Sequence, residues 1–311
     1  MHGEVDQGFI GPPSGTVKTR KDMVYYPRVD VRNQRICPGK EDAIMLMDFH
    51  MHTAASEDSD APARAMCDAA VERGIGILAI TDHVEMTDFH QNGYDIAAEA
   101  SWAYASEVQP LYRGRLRIAR GIELGQPLYD LSLAERVLAA HPYDFVLGSM
   151  HKLGDAVDYY FYDYSQCDIG EAMDSYFDAL YDMVEWGGFH SLAHMTYPFR
   201  YFPDDKRPAD YSRWQERIDR VLRRLAEKGL ALEINTSGMR NPKLCCAHPD
   251  LPLVRRFREL GGERITVGAD AHKPEDVGAN IRDGLRIAWE AGFRYTAVYF
   301  AGCAEMVKIE L

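Results

Sequence analysis

The sequence predicts an α/β barrel, and three observations carry that prediction. Seven short apolar runs alternate with helix-like segments, six of them end in a histidine or a carboxylate, and 311 residues at 46% hydrophobic content can bury a large core. Alternating strand and helix reads as a parallel sheet closed on itself. Polar groups gathered at the carboxyl ends of strands mark the catalytic face of such barrels.

The first run, Ala43-Ile44-Met45-Leu46-Met47, has the composition of a buried strand and leads into Asp48-Phe49-His50-Met51-His52-Thr53. On extended backbone, residues i and i+2 face the same side, so both imidazoles can reach one point. A helix follows, with Asp60 as its N-cap, Pro62 in its first turn and Gly74 past its end. Gly76–Ile80 is the second strand and runs into Thr81-Asp82-His83. Residues 84–98, polar and aromatic, read as a loop, and a helix over 99–112 precedes the third strand, Leu116–Glu123. A helix over 132–140 leads to the fourth, Asp144–His151, and the acidic, tyrosine-rich piece 155–168 beyond it reads as a lid. Helix 171–186 precedes the fifth strand, Phe189–His194. Helix 211–228 precedes the sixth, Leu230–Asn235, and helix 249–260 the seventh, Arg264–His272. A terminal helix (275–291) and the run Tyr295–Phe300 are expected to pack outside the barrel. Residues 1–42 differ in texture. Breakers at Gly11–Gly15 and Cys37-Pro38-Gly39 leave no apolar periodicity between them. The expected organisation is an irregular N-terminal extension, 1–42, and one domain, 43–311.

A net charge of −13 argues against a nucleic-acid partner, because phosphate backbones select basic stripes. A small phosphorylated substrate remains compatible, since bound metal ions and a few arginines reverse the local sign. The six cysteines show no Cys-x-x-Cys pair, which fits reduced thiols in the cytoplasm. No apolar run reaches the ~20 residues of a membrane span, and no secretory signal opens the chain. A homo-oligomer is left open.

His50, His52, His83, Glu123, His151, His194, Asp270 and His272 collect at the strand ends. A hydrophobic core does not call for histidine, so the pattern reads as a metal site. Imidazole and carboxylate together suit zinc, manganese or iron. Catalytic zinc uses about three protein ligands plus water, so eight or nine ligands imply two or three divalent ions. Glu123 can bridge a pair ~3.5–4 Å apart.

The motifs Asp48-Phe49-His50-Met51-His52-Thr53, Ile80-Thr81-Asp82-His83, Gly121-Ile122-Glu123, Gly148-Ser149-Met150-His151, Ala193-His194, Leu232–Gly238 and Gly268-Ala269-Asp270-Ala271-His272 carry a resemblance. In order and spacing over about 45–300 they resemble the successive motifs of the PHP (polymerase and histidinol phosphatase) family. The run from Glu233 to Arg240 and the Ser-Met-His motif most resemble its histidinol-phosphate phosphatases. The resemblance implies a distorted (β/α)7 TIM-like barrel and a trinuclear centre. It implies that His50, His52, Glu123 and Asp270 hold one ion, that Glu123, His151 and His194 hold a second, and that His83 and His272 hold the third. Asp58, eight residues after His50, stands where some relatives carry a histidine, and an aspartate can ligate. Glu123, Asp270 and His272 are the expected catalytic residues.

The activity so implied is a metal-dependent phosphomonoesterase acting on histidinol phosphate, with other small phosphate esters and nucleotides as alternatives. Arg200 and Arg240, on loops at the catalytic face, are the expected phosphate contacts, because a guanidinium fork grips two oxygens at once. His90, Lys152 and the tyrosines over 159–164 are weaker candidates. His141, His190 and His248 read as structural, and adjacent Cys245-Cys246 as an uncomfortable ligand pair. An amidohydrolase-type hydrolase also opens with His-x-His, but those sites take a lysine or glutamate bridge at strand four, where this chain has His151. A scaffold or nucleic-acid accessory module fits poorly with a complete ligand set.

Overall fold

In the computed structural model the described residues are 45–153, 157–165, 168–208 and 210–311. The extension expected over 1–42 lies outside them. The strands are β1 (Leu46–Asp48), β2 (Ile75–Ile80), β3 (His83–Glu85), β4 (Arg117–Gly125), β5 (Phe145–Ser149), β6 (Ser191–Leu192), β7 (Ala231–Asn235) and β8 (Ile265–Gly268). They form one parallel sheet in the order β1-β2-β4-β5-β6-β7-β8, with β3 also paired to β4. Most strand residues are buried on both faces, as a sheet covered by helices outside and filled inside requires. β4 is nine residues long and takes two partners along one edge. β2 pairs with its first half, Ile77 opposite Arg117, and β3 with its second, His83 opposite Glu123. The eight strands therefore fill seven positions around the wall.

The wall closes where the chain after β1 meets β8. Phe49 N donates to Val267 O (2.9 Å), Asp270 N to His50 O (2.8 Å) and His52 N to Ala271 O (2.9 Å). Asp48, fully buried, staples this seam: its two carboxylate oxygens accept from Ala269 N and Gly278 N, each at 2.8 Å. Burial pushes its pKa up to about 6, with the backbone N–H groups of Ala269, Gly278 and His50 pulling the other way.

Among the described residues seven helices cover the outside: α1 (Ala63–Glu72), α2 (Tyr94–Leu111), α3 (Leu131–Ala140), α4 (Ile169–Trp186), α5 (Gln215–Glu227), α6 (Leu251–Glu259) and α7 (Ile281–Glu290). In α5 the buried residues Ile218, Val221, Leu222 and Leu225 keep the 3–4 spacing of one helical face. Several helix starts differ from the sequence expectation, α5 among them, which starts at Gln215 rather than 211. Pro62, not Asp60, precedes the first helical residue of α1, and no side chain caps it. α2 starts at Tyr94, inside the stretch expected to be a loop, and β3 forms at that stretch's beginning. The inward face of α2 runs Tyr94, Ala98, Ser101, Ala105, Val108, a regular spacing carried largely by small residues. α7 starts at Ile281, because Gly278 and Asn280 take left-handed backbone ahead of it.

The run Tyr295–Phe300 (β9) does not lie along the outer wall. It pairs antiparallel with Cys303–Lys308 (β10), which was not anticipated, through a two-residue turn with Ala301 and Gly302 at positive φ. The hairpin covers the amino-terminal end of the barrel. Thr296 Oγ1 donates to Ile265 O, Ala301 N donates to the Asp144 carboxylate, and Tyr299 stacks on Phe145 at 5.2 Å. No helix among the described residues is long and apolar enough to cross a membrane.

The seam generates a prediction. Asp48→Asn should cost about 1–3 kcal/mol, because the amide N–H₂ then faces a backbone N–H that has lost its acceptor. Urea unfolding measures this, and an unchanged midpoint would show that the staple is idle.

Candidate metal centre

The site is built from strand ends whose alternate residues face the barrel axis. His50 and His52 follow β1, His83 and Glu85 are the ends of β3, Glu233 and Asn235 end β7, and Asp270 and His272 follow β8. Each is an i, i+2 pair. Glu123, on β4, is fully buried between them.

Its two carboxylate oxygens face different sets of nitrogens. Oε2 lies 3.0 Å from His50 Nε2, 3.4 Å from His52 Nε2 and 3.1 Å from His83 Nδ1. Oε1 lies 3.0 Å from His194 Nε2 and 3.2 Å from His151 Nε2. Asp270 Oδ1 completes the first cluster, 3.4 Å from His52 Nε2 and 3.7 Å from His50 Nε2. Beside these, Asp58 Oδ2 stands 3.0 Å from His272 Nε2 and 3.6 Å from His83 Nε2. The structure thus brings together all nine expected ligands.

Outer partners fix which ring nitrogen faces inward. His50 Nδ1 meets Glu233 Oε1 at 2.7 Å, His151 Nδ1 meets Glu85 Oε1 at 2.9 Å, and His52 Nδ1 meets Ser56 Oγ at 3.1 Å. A carboxylate or hydroxyl on Nδ1 leaves Nε2 to bind, which is how ligating histidines are normally oriented. Space is cleared for these carboxylates. A Cβ at Gly125 would lie 2.2 Å from the Glu85 carboxylate, and one at Gly268 would lie 2.3 Å from His50 Cβ. Sequence reasoning gave Glu85, Glu233 and Asn235 no role, although their i, i+2 spacing with or beside ligands was available as a signal.

The electrostatics of the cluster call for positive charge. Burial pulls the Glu123 carboxyl up, but His50, His83 and His151 hold it well below the usual range. Burial pulls His50 down, yet Glu233, Glu123 and Asp270 carry it well above the imidazole range. His151, pulled down by burial, is carried up to about 10 by Glu85 and Glu123. Burial and the neighbouring His272 and His83 push His52 well below it. Three of the ligand groups that converge are His50/His52/Glu123, Glu123/His151/His194 and His52/His83/His272, each with its donor atoms within 4.8 Å of one another. Imidazole nitrogens and carboxylates so arranged fit divalent transition ions.

Above this floor opens a cavity of about 810 Å³, with Asp58, His83, His151, His194, Asp270 and His272 lining its base. Arg200 lines it too: Nη2 donates to Asn235 Oδ1 at 3.0 Å and Nη1 to Asp270 Oδ2 at 3.4 Å, and Nε is buried with no partner among the described residues. Arg240 is not among the lining residues. It donates to Ala269 O (2.7 Å) and Asp270 O (3.2 Å) and pairs with Asp276, so it braces the loop after β8 from behind. Lys152 lines the cavity and pairs with Asp88, whereas His90 is exposed and pairs with Asp95. Of the stretch 155–168, Asp158, Tyr160 and Phe161 line the cavity, while Asp163 bonds Ser165 and Asp168 caps α4. Asp155 lies outside the described residues. His141 pairs with Glu99 at the surface, His190 accepts from Val146 N, and His248 bonds Thr196. Cys245 is exposed and Cys246 half-buried.

Known proteins are similar to this chain in sequence and fold. The chain is 30% identical over 258 residues to a histidinol-phosphatase of Lactococcus lactis subsp. lactis (strain IL1403), covering 81% of this chain and 94% of that one. It is 27% identical over 248 residues to a probable histidinol-phosphatase of Clostridium acetobutylicum, covering 78% and 93%. Among solved structures it resembles histidinol phosphate phosphatase from Lactococcus lactis subsp. lactis Il1403, complexed with zinc, L-histidinol and phosphate. The TM-score is 0.71 at 26% identity, over 85% of this chain and 100% of that one. The family model of the PHP domain matches residues 48–237, which hold seven of the nine expected ligands, and the chain belongs to the PHP domain family.

Proposed function

We propose that this chain is a metal-dependent phosphomonoesterase that hydrolyses histidinol phosphate to histidinol and phosphate, a step of histidine biosynthesis. The observation that carries the reading is Glu123, one carboxylate shared between two sets of imidazole nitrogens beneath a cavity whose wall holds Arg200. The Lactococcus relative, named for this activity and solved with zinc, L-histidinol and phosphate, supports it.

In this reading two to three ions of zinc, manganese or iron bind. His50, His52, Glu123 and Asp270 hold the first, Glu123, His151 and His194 the second, and Asp58, His83 and His272 the third. When bound, such ions supply Lewis acidity and lower the pKa of water. The chain supplies the rest. Arg200, held by Asn235 and Asp270, presents its guanidinium to the phosphate oxygens, where a charge-assisted contact is strongest in a desolvated wall. Asp158 and Glu57, both lining the cavity and outside the ligand sets, give a cationic amine a place to bind. Residues 43–311 form the hydrolase domain in this reading, and Cys67, Cys245, Cys246 and Cys303, unpaired among the described residues, suit the cytoplasm.

Histidinol phosphate should exceed glycerol phosphate by at least ~10-fold in kcat/KM, about one well-placed ionic contact. Steady-state kinetics on both substrates test this, and equal values would leave a phosphatase of broader range.

Glu123→Gln should abolish turnover and lower bound metal by more than one equivalent, since a neutral amide weakens both clusters together. Elemental analysis finding full metal occupancy would remove Glu123 as the bridge.

Arg200→Ala should cost ~2–5 kcal/mol of transition-state stabilisation, roughly 30-fold to several-thousand-fold in kcat/KM. It should weaken inhibition by inorganic phosphate as well. Arg240→Ala should instead act through the loop of Asp270 and reduce bound metal. Unchanged phosphate inhibition in the Arg200 variant would take that residue off the phosphate.

A further inference from the structure

Ser56 belongs to none of the ligand sets, yet its hydroxyl is committed on every side. It is buried, and its Oγ donates to Asp82 Oδ1 at 3.0 Å. The same oxygen receives the backbone N–H of His83 at 3.0 Å and stands 3.1 Å from His52 Nδ1. A hydroxyl has one hydrogen and two lone pairs. The direction of each bond therefore follows by elimination, provided the hydrogen goes to Asp82.

Asp82, as a carboxylate receiving four donors, sets that direction. Its carboxylate is fully buried, and Oδ1 already receives the Thr53 backbone N–H at 2.5 Å, a donor that cannot reverse. Oδ2 is occupied by Thr53 Oγ1 at 2.9 Å and Ser101 Oγ at 2.6 Å. In the carboxylate form Oδ1 is an acceptor toward Ser56. With the hydroxyl hydrogen spent there and one lone pair taken by His83 N–H, only a lone pair remains for His52. His52 Nδ1 must carry the proton, and Nε2, facing Glu123 and Asp270, is left as the bare nitrogen.

We propose that Ser56, oriented by Asp82, is a positioning residue that sets the ligating tautomer of His52 and anchors the backbone of His83, so that one hydroxyl serves two neighbouring ion sites. The inference rests on the metal-centre reading of His52 and His83. It differs from the direct carboxylate support given to His50 and His151. There a carboxylate accepts from the ring itself, while here the acid acts one bond away and its hold passes to two ligands at once. Losing an outer partner of a ligating histidine typically weakens metal binding about 10–100-fold.

The test uses the whole chain loaded with zinc. A long-range nitrogen–proton NMR spectrum of the unmutated protein should show His52 protonated at Nδ1 and metal-bound at Nε2. Chelator competition should show Ser56→Ala weakened about 10–100-fold in zinc binding. Ser101→Ala, which removes another donor to Asp82 without touching His52, should stay within about threefold of the unmutated protein. The opposite tautomer at His52 overturns the inference even if Ser56→Ala does not fold. So does Ser56→Ala binding zinc as the unmutated protein does, or Ser101→Ala losing as much as Ser56→Ala. Failure of the unmutated chain to take up zinc would overturn the metal reading itself, and the two failures are separable because the affinity is read without substrate.

Discussion

A carboxylate buried in a barrel, with five imidazole nitrogens within 3.4 Å of its oxygens, is the constraint on which the rest of this structure depends. An ionised acid in such a place is very costly unless positive charge lies against it. The chain answers by surrounding Glu123 with groups that accept either protons or metal ions. It then fixes their rings with a further layer of acids and hydroxyls. β4 extends past its neighbours to carry Glu123 to this depth, and β3 exists as a separate short strand because His83 must sit opposite it. The wall's glycines at 125 and 268 fall where Cβ atoms would collide with the supporting layer. Fold and site are therefore one packing problem.

What was legible in the sequence follows from this. Ligands at strand ends announce themselves, since histidines interrupting apolar runs have no place in an ordinary core. The barrel and the eight strand-end residues of the cluster could be read that way, while Asp58, on the loop before α1, was suggested only by the resemblance. The supporting layer was harder. Glu85 and Glu233 each look like an ordinary charged residue on a strand, and only the i, i+2 phase with His83 and Asn235 tells that they face inward. Ser56 carries no signal at all, because its role depends on three partners separated along the chain. Arg240 was misleading in the opposite sense. A loop position near the catalytic face suggested a phosphate contact, whereas the guanidinium turns toward the carbonyls of Ala269 and Asp270.

Secondary structure was obscured where packing overrides local preference. α2 buries alanines and a serine, residues whose weak hydrophobicity leaves little amphipathic contrast, so the helix start passed as loop. The closing hairpin presents mixed burial along β10 and gives no clean alternation, and its place under the barrel is a tertiary fact with no local cause. The helix before β9 starts late because two left-handed residues intervene, one of them an asparagine, which tolerates that backbone better than most side chains.

The seam between β1 and β8 has one further consequence. Its two lips carry His50 and His52 on one side and Asp270 and His272 on the other, residues more than two hundred positions apart. During synthesis the first ligands emerge early and wait, while the partners that complete their cluster leave the ribosome only near the end of the chain. A growing chain therefore carries Glu123, His151 and His194 before the last barrel strand arrives, whereas the clusters that take Asp270 and His272 can close only after it. The first and third clusters thus join the two ends of the barrel in sequence, and the second does not.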